Sequence, residues 1–243
     1  MSSVSPAPST SLRPLLLGHR GACRHAPENT IAAFDLALAH GCHGFEFDVR
    51  LTADGHAIVC HDPELAGLPV AQSKYRDLVA ACRVRAQGVA ANEFSPPTLP
   101  GVLLRYASTA FLDIELKVSG LEELTLSALR AKPPERGYFV SSFLPEVVTR
   151  LHELDQGVPL GLICRTPDQF KRWPTLPVSA LFLHGDLLRS EIVDQVHAAA
   201  KQVFAWTIND EQRMGDIAAM GVEGIISDQT RPLGRAFAAS QSS

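Results

Sequence analysis

The chain has 243 residues, 46% hydrophobic and 20% charged, enough apolar material for one barrel-sized core beneath an ordinary polar surface. Its formal charge of -4 provides no basic face for nucleic acid or an anionic membrane, while leaving room for a local basic spot that holds phosphate. The five cysteines (Cys23, Cys42, Cys60, Cys82, Cys164) form no CxxC pair, which argues against a disulfide framework or a zinc–thiolate centre and predicts a reducing, cytoplasmic setting.

In chain order, residues 1–13 are rich in Ser and Pro and lack the charged-then-apolar order of a secretion signal, so a disordered tail is expected there, with a second short tail at 240–243. No apolar run approaches the roughly 20 residues that span a bilayer. Across 14–239, strand-like and helix-like segments alternate. Strands are expected at 15–19, 44–50, 111–117, 137–142, 158–163, 179–184, 202–207 and 224–227. Helices are expected at 29–40, 99–107, 121–131, 145–154, 167–173, 190–200, 210–219 and 231–239. The first is the clearest: Asn29 or Thr30 can cap it, Ile31, Phe34, Ala37 and Leu38 form an apolar stripe, and Gly41 stops it. Trp173-Pro174 interrupts the fifth.

Eight such units imply parallel strands with helical crossovers, hence an α/β fold, a single-domain (β/α)8 TIM barrel. An open doubly wound sheet is the rival, but it has fewer strands, and no GxGxxG follows the first strand here. The stretch 62–100 is proline-rich, with one helical segment near Tyr75–Arg83, and reads as an irregular insertion after the second strand. Loops at that end of a barrel build active sites, so it is either a substrate-selecting wall or a plain surface insertion.

Several apolar runs end in ionisable residues. On the second strand Glu46 and Asp48 are two apart and share a face, while Phe45, Phe47 and Val49 face the covering helices. The same parity groups Asp113, Glu115 and Lys117 on the next strand. Two inward carboxylates repel unless a cation or a proton lies between them, so Glu46, Asp48 and Glu115 are candidate ligands for a hard divalent ion, Mg²⁺ or Ca²⁺. Salt bridges to Arg50 or other bases would explain them equally well. His19 and His61 each end a β-run and can divide acid and base roles around a phosphate, or serve structure alone. Arg20 and Lys117 can bind phosphoryl oxygens or merely pair with acids.

The ordered segments Gly18-His19-Arg20-Gly21-Ala22, Pro27-Glu28-Asn29-Thr30, Glu46-Phe47-Asp48-Val49, His61-Asp62-Pro63, Pro97-Thr98-Leu99 and Ile114-Glu115-Leu116-Lys117 resemble those of glycerophosphodiester phosphodiesterases. Trp206-Thr207-Ile208-Asn209 and the run from Gly221 to Asp228 extend the resemblance over about 15–235. It implies a (β/α)8 barrel hydrolysing glycerophosphodiesters to glycerol 3-phosphate and an alcohol. It assigns His19 and His61 to acid/base catalysis and Glu46, Asp48 and Glu115 to the metal. It places Arg20 and Lys117 at the phosphate and Trp206 beside the glycerol. Glu28 would support this set or favour a helix start, and Ser142, Phe143 and His184 are further pocket candidates. The chain departs from the family in the proline-rich region after Pro63, which bears on the alcohol group, and at Gln229-Thr230. The implied partner is a small-molecule diester, with no nucleic acid or stable membrane association. The competing functions are a phospholipase D-like or lysophospholipase D-like barrel acting on lipid, and a non-catalytic phosphodiester-binding barrel.

Overall fold

The computed structural model describes residues 13–85 and 95–238. The two expected tails, apart from Arg13, and residues 86–94 of the insertion lie outside the described residues. Strands β1 (Leu15–His19) and β2 (Gly44–Leu51) open the barrel. Three short strands follow, β3 (Ala57–Val59), β4 (Glu64–Leu65) and β5 (Leu68–Pro69). The barrel then resumes with β6 (Phe111–Leu116), β7 (Tyr138–Ser142), β8 (Leu160–Cys164), β9 (Ala180–His184), β10 (Gln202–Trp206) and β11 (Gly224–Ser227). Parallel pairing runs from β1 through β2 and β6 to β11, and β11 returns to β1. The chain is therefore a closed eight-stranded parallel (β/α)8 barrel.

Helices α1 (Ile31–Ala39), α2 (Tyr75–Arg85), α3 (Leu99–Tyr106), α4 (Glu122–Ala131), α5 (Pro145–Leu154), α6 (Pro167–Phe170), α7 (Ser190–Ala198), α8 (Glu211–Ala219) and α9 (Thr230–Ala238) accompany the strands. Of the two candidate caps of α1, Thr30 does the capping, accepting from the Ala33 amide, and Gly41 leaves the helix at φ +89°. The expected helix 167–173 stops at Phe170; a 3-10 turn, Trp173–Thr175, follows, because Pro174 has no amide to continue an α-helical ladder.

Strand alternation sorts side chains into two layers. Outward residues pack on the helices: Phe34 of α1 stacks on Phe45 at 4.1 Å between centroids, and Tyr106 of α3 meets Phe45 edge-on at 5.0 Å. Inward residues at the N-terminal end, Leu17, Phe111, Phe139, Ile163, Phe182 and Phe204 among them, fill the barrel with interlocking rings. One step further along the same inward rows come His19, Asp113, Ser141, Trp206 and Asp228. The aromatic plug thus floors a polar chamber at the C-terminal end, where barrels of this architecture hold their active sites.

Gly44 lies opposite Leu17 on one side and Phe111 on the other, and a Cβ there would overlap the Phe111 backbone. Gly44→Ala is expected to cost at least about 3 kcal/mol, since the clash falls on two central strands. A lower urea midpoint at unchanged m-value will show it.

After Leu51, β2 turns back through β3 in antiparallel pairing, Val49 opposite Val59, which returns the chain to the chamber rim at His61. The described part of 62–100 is ordered around a small core of its own, Ile58, Cys60, Val70 and Leu78, with the β4–β5 hairpin and α2 packed on it.

Candidate active site

Cross-strand register brings the polar residues together. His19 pairs with Glu46, and Asp48 with Glu115, so one imidazole and three carboxylates lie side by side across β1, β2 and β6. Glu46, Asp48 and Glu115 each place an oxygen within 4.8 Å of the others. All three are buried, at 3%, 1% and 7% exposure, where an uncompensated charge is costly. Glu46 Oε1 has no hydrogen-bond partner, while Asp48 Oδ1 and Glu115 Oε1 have only the Lys117 ammonium beside them. The three carboxylates form an oxygen-only set that fits a divalent cation.

The surrounding electrostatics agree. Burial, then the neighbouring Asp48 and Glu115 charges, push the Glu46 carboxyl well above its ordinary value. Burial, then Asp48, raises Glu115 to about 7. Asp48 behaves otherwise: burial opposes its charge, but Lys117, Arg20 and the Asn29 amide outweigh burial and lower it. Asp113, hydrogen-bonded by the Ser141 hydroxyl at 2.6 Å, is pushed well up by burial and sits deeper in the chamber.

Both expected phosphate-binding cations reach this cluster. Lys117 Nζ stands 2.6 Å from Glu115 Oε1 and 3.3 Å from Asp48 Oδ1. Arg20 places Nε 3.2 Å from Asp48 Oδ2 and grips Glu28 with NH1 at 3.0 and 3.1 Å. The alternative pairing with Arg50 does not occur: Arg50 Nε donates to the His61 carbonyl at 2.7 Å and anchors that rim. The backbone at Arg20 is left-handed (φ +56°), which turns its amide onto Glu46 Oε2 at 2.9 Å. Gly21 follows at φ +78°, packed so closely on Ala33 that no Cβ fits.

The two histidines bracket the cluster. His19 Nε2 lies 3.9 Å from Glu46 Oε2, while its Nδ1 meets Asp228 Oδ1 at 2.6 Å. Asp228 is itself fixed by Asn209, whose Nδ2 donates to Oδ2 at 2.8 Å. Although burial opposes the Asp228 charge, the His19, Asn209 and Cys23 contacts hold its carboxyl far below the usual range. His61 Nδ1 meets Asp62 Oδ1 at 2.8 Å. Carboxylates at both Nδ1 atoms favour a proton on that nitrogen in each imidazole, which leaves Nε2 for chemistry.

The chamber has a volume of about 230 Å³ and is lined by Glu46, Asp113, Glu115 and Lys117 together with Phe143 and Trp206. The Trp206 indole donates to the Phe182 carbonyl at 2.9 Å, and its ring meets Phe143 edge-on at 5.6 Å. His184 packs edge-on to Trp206 at 5.2 Å behind this wall. Ser142 turns away, donating to the Leu116 carbonyl at 2.8 Å. A larger cavity, about 270 Å³, lies beyond His61 against Pro27–Thr30 and the β4–β5 hairpin, but it contains none of the three clustered carboxylates.

Two contributors were not assigned from sequence. Asn29, a candidate helix cap, instead donates Nδ2 to Asp48 Oδ2 at 2.8 Å and accepts the Asp48 amide at 3.2 Å. Asp228 belongs to the quoted C-terminal segment, yet its link to His19 arises only from barrel closure. Its position one residue past the final strand was the available signal.

A parallel barrel with two histidines, clustered carboxylates and cations at its C-terminal end has the groups that phosphate-ester hydrolysis needs. The profile of the glycerophosphoryl diester phosphodiesterase family matches residues 19–103 and 117–231. The Bacillus subtilis (strain 168) protein YhdW is 31% identical over 230 residues, covering 88% of this chain and 93% of its own. A glycerophosphodiester phosphodiesterase of Caldanaerobacter subterraneus subsp. tengcongensis is 28% identical over 235 residues, covering 91% and 97%. Among solved structures, an Oleispira antarctica phosphodiesterase in complex with the product sn-glycerol-3-phosphate superposes with a TM-score of 0.76 at 26% identity, covering 92% of this chain and 96% of that one. The chain belongs to the glycerophosphoryl diester phosphodiesterase family and is a phosphodiesterase. Among the described residues, no helix is long and apolar enough to cross a membrane.

Proposed function

We propose that the chain hydrolyses water-soluble glycerophosphodiesters to glycerol 3-phosphate and an alcohol, with Glu46, Asp48 and Glu115 holding Mg²⁺ or Ca²⁺. The observation that supports this reading is the trio of buried carboxylates Glu46, Asp48 and Glu115, with oxygens within 4.8 Å of one another, at a chamber that His19, His61, Arg20 and Lys117 also line. The product in the Oleispira antarctica relative supports the substrate class. A bound divalent ion supplies Lewis-acid polarisation of a non-bridging phosphoryl oxygen.

This chain's own groups do the rest. Arg20 and Lys117, held by Asp48 between them, turn their remaining N–H donors to the phosphoryl oxygens. His19 takes the proton of the nucleophile, either water or the substrate's glycerol hydroxyl, the latter giving a cyclic phosphate that water then opens to glycerol 3-phosphate, and Asp228 stabilises the imidazolium that forms. As the bond from phosphorus to the leaving oxygen breaks, His61 donates a proton to that oxygen. His61 suits this role because it borders both cavities, so the alcohol departs toward the larger one. The Trp206–Phe143 wall receives the glycerol carbons.

A lipid substrate would need an apolar groove. Among the described residues of the insertion, Leu65, Leu68, Val70 and Leu78 do not provide one: Val70 and Leu78 are buried at 1% and 0% exposure, and Leu65 and Leu68 pack onto them. Glycerophosphocholine is therefore expected to turn over at least about tenfold faster, in kcat/KM, than lysophosphatidylcholine. A chelator should abolish both rates and Mg²⁺ or Ca²⁺ restore them. Faster turnover of the lysolipid, or chelator-resistant turnover, would refute the reading.

A further inference from the structure

On the face of His19 turned away from the carboxylate cluster lies a second group of donors. His19, Cys23 and Asp228 each bring one ligand atom within 4.8 Å of the others. Asp228 Oδ1 is the hub, 2.6 Å from His19 Nδ1 and 3.3 Å from Cys23 Sγ. Cys23 differs from the other four cysteines: they are buried, whereas it is partly exposed. The group faces a surface opening of about 280 Å³, rimmed by Arg20, Arg24 and Glu28. An ion can thus reach it without entering the substrate chamber.

We propose that His19 Nδ1, Cys23 Sγ and Asp228 Oδ1 form a separate site for a thiophilic divalent ion, Zn²⁺ above all, and that its occupation silences the enzyme. The donor chemistry separates it from the oxygen-only cluster: thiolate and imidazole select Zn²⁺ over Mg²⁺ or Ca²⁺. Three protein ligands and one open position match a common zinc arrangement. With Zn–N about 2.0 Å and Zn–S about 2.3 Å, tetrahedral ligand atoms stand roughly 3.3–3.8 Å apart, so shifts of about 1 Å seat the ion. Binding releases one proton, from the Cys23 thiol; the His19 proton moves from Nδ1 to Nε2, which frees the Nδ1 lone pair for the ion and blocks the nitrogen that acts as base, while Asp228 is already ionised. In the metal-free protein, burial and the adjacent Asp228 charge hold the Cys23 thiol up at about 12, so it donates to Asp228 until an ion displaces its proton. Glu28 adds negative charge at the rim, and Arg20 and Arg24 oppose it.

The consequence for turnover rests on the role of His19 proposed above. With Nδ1 on the ion, Asp228 no longer backs the imidazole that must accept a proton at Nε2.

Two readouts test this with Mg²⁺ saturating. Titrated with Co²⁺, the parent protein should develop thiolate-to-cobalt charge-transfer absorption in the near ultraviolet, and Cys23→Ser should not. Glycerophosphocholine hydrolysis, normalised to each protein's own zinc-free rate, should need about tenfold or more Zn²⁺ for half inhibition in Cys23→Ser than in the parent. Serine retains a donor for Asp228, so the variant preserves the local hydrogen bonding. Absence of the cobalt band in the parent, its persistence in Cys23→Ser, or equal zinc sensitivity would each overturn the proposal. The cobalt spectrum needs no turnover, so failure of this site is distinguishable from failure of the proposed activity.

Discussion

His19→Ala is expected to lower kcat for glycerophosphocholine by about 10²–10⁴-fold while leaving binding of the divalent ion intact, because it removes a proton carrier and no oxygen ligand. Asp228→Asn should fall in the same range. The asparagine amide presents N–H where His19 now has a carboxylate 2.6 Å from Nδ1, which forces the opposite tautomer and protonates the nitrogen needed as base. Steady-state kinetics with parallel Mn²⁺ titrations, followed by electron spin resonance, separate the two effects. An Asp228→Asn enzyme with undiminished kcat would show that His19 does not act through this pair.

Glu115→Gln should be more damaging still, with turnover reduced by about 10⁴-fold or more and the ion lost at ordinary concentrations, since a neutral amide replaces one of three anionic ligands. Without metal, the same variant should be more stable than the parent above neutral pH. The sign follows from the proton balance. Glu115 keeps its proton up to about 7 in the folded chain but releases it near 4.5 when unfolded. Folding therefore binds a proton between those values, and the parent loses stability as pH rises from about 4.5 through 7. Glutamine has no such proton to lose. Thermal melts of the chelated proteins at pH 6 and pH 8 should show the variant's advantage widening at the higher pH. A gap that narrows would contradict the burial argument.

The same parity that made the barrel legible brought most of the candidate site's residues into view. Glu46 and Asp48 alternate with Phe45, Phe47 and Val49, so the sequence states both that this is a strand and that its two acids face one way. The pairing of Asp48 with Glu115 then followed once β2 and β6 were neighbours. Contacts set by closure were not legible. His19 and Asp228 are 209 residues apart and meet only because β11 pairs with β1. Nor does local pattern distinguish Asn29 from Thr30 as a cap; the difference lies in the left-handed backbone at Asn29, φ +59°, which turns its amide onto Asp48. The proline-rich stretch after Pro63 concealed a small core because its apolar residues, Val70 and Leu78, pack on β3 and not on a strand-helix period.

The central claim is that this chamber cleaves a glycerophosphodiester on the alcohol side of phosphorus, with the help of an ion held by Glu46, Asp48 and Glu115. Phosphorus NMR of glycerophosphocholine mixed with the chelated enzyme, before and after Mg²⁺ or Ca²⁺ is added, tests it most directly. No change is expected before the ion, and then growth of the glycerol 3-phosphate resonance at the expense of the diester. Growth of a phosphocholine resonance, or product formation before the ion is added, would contradict it.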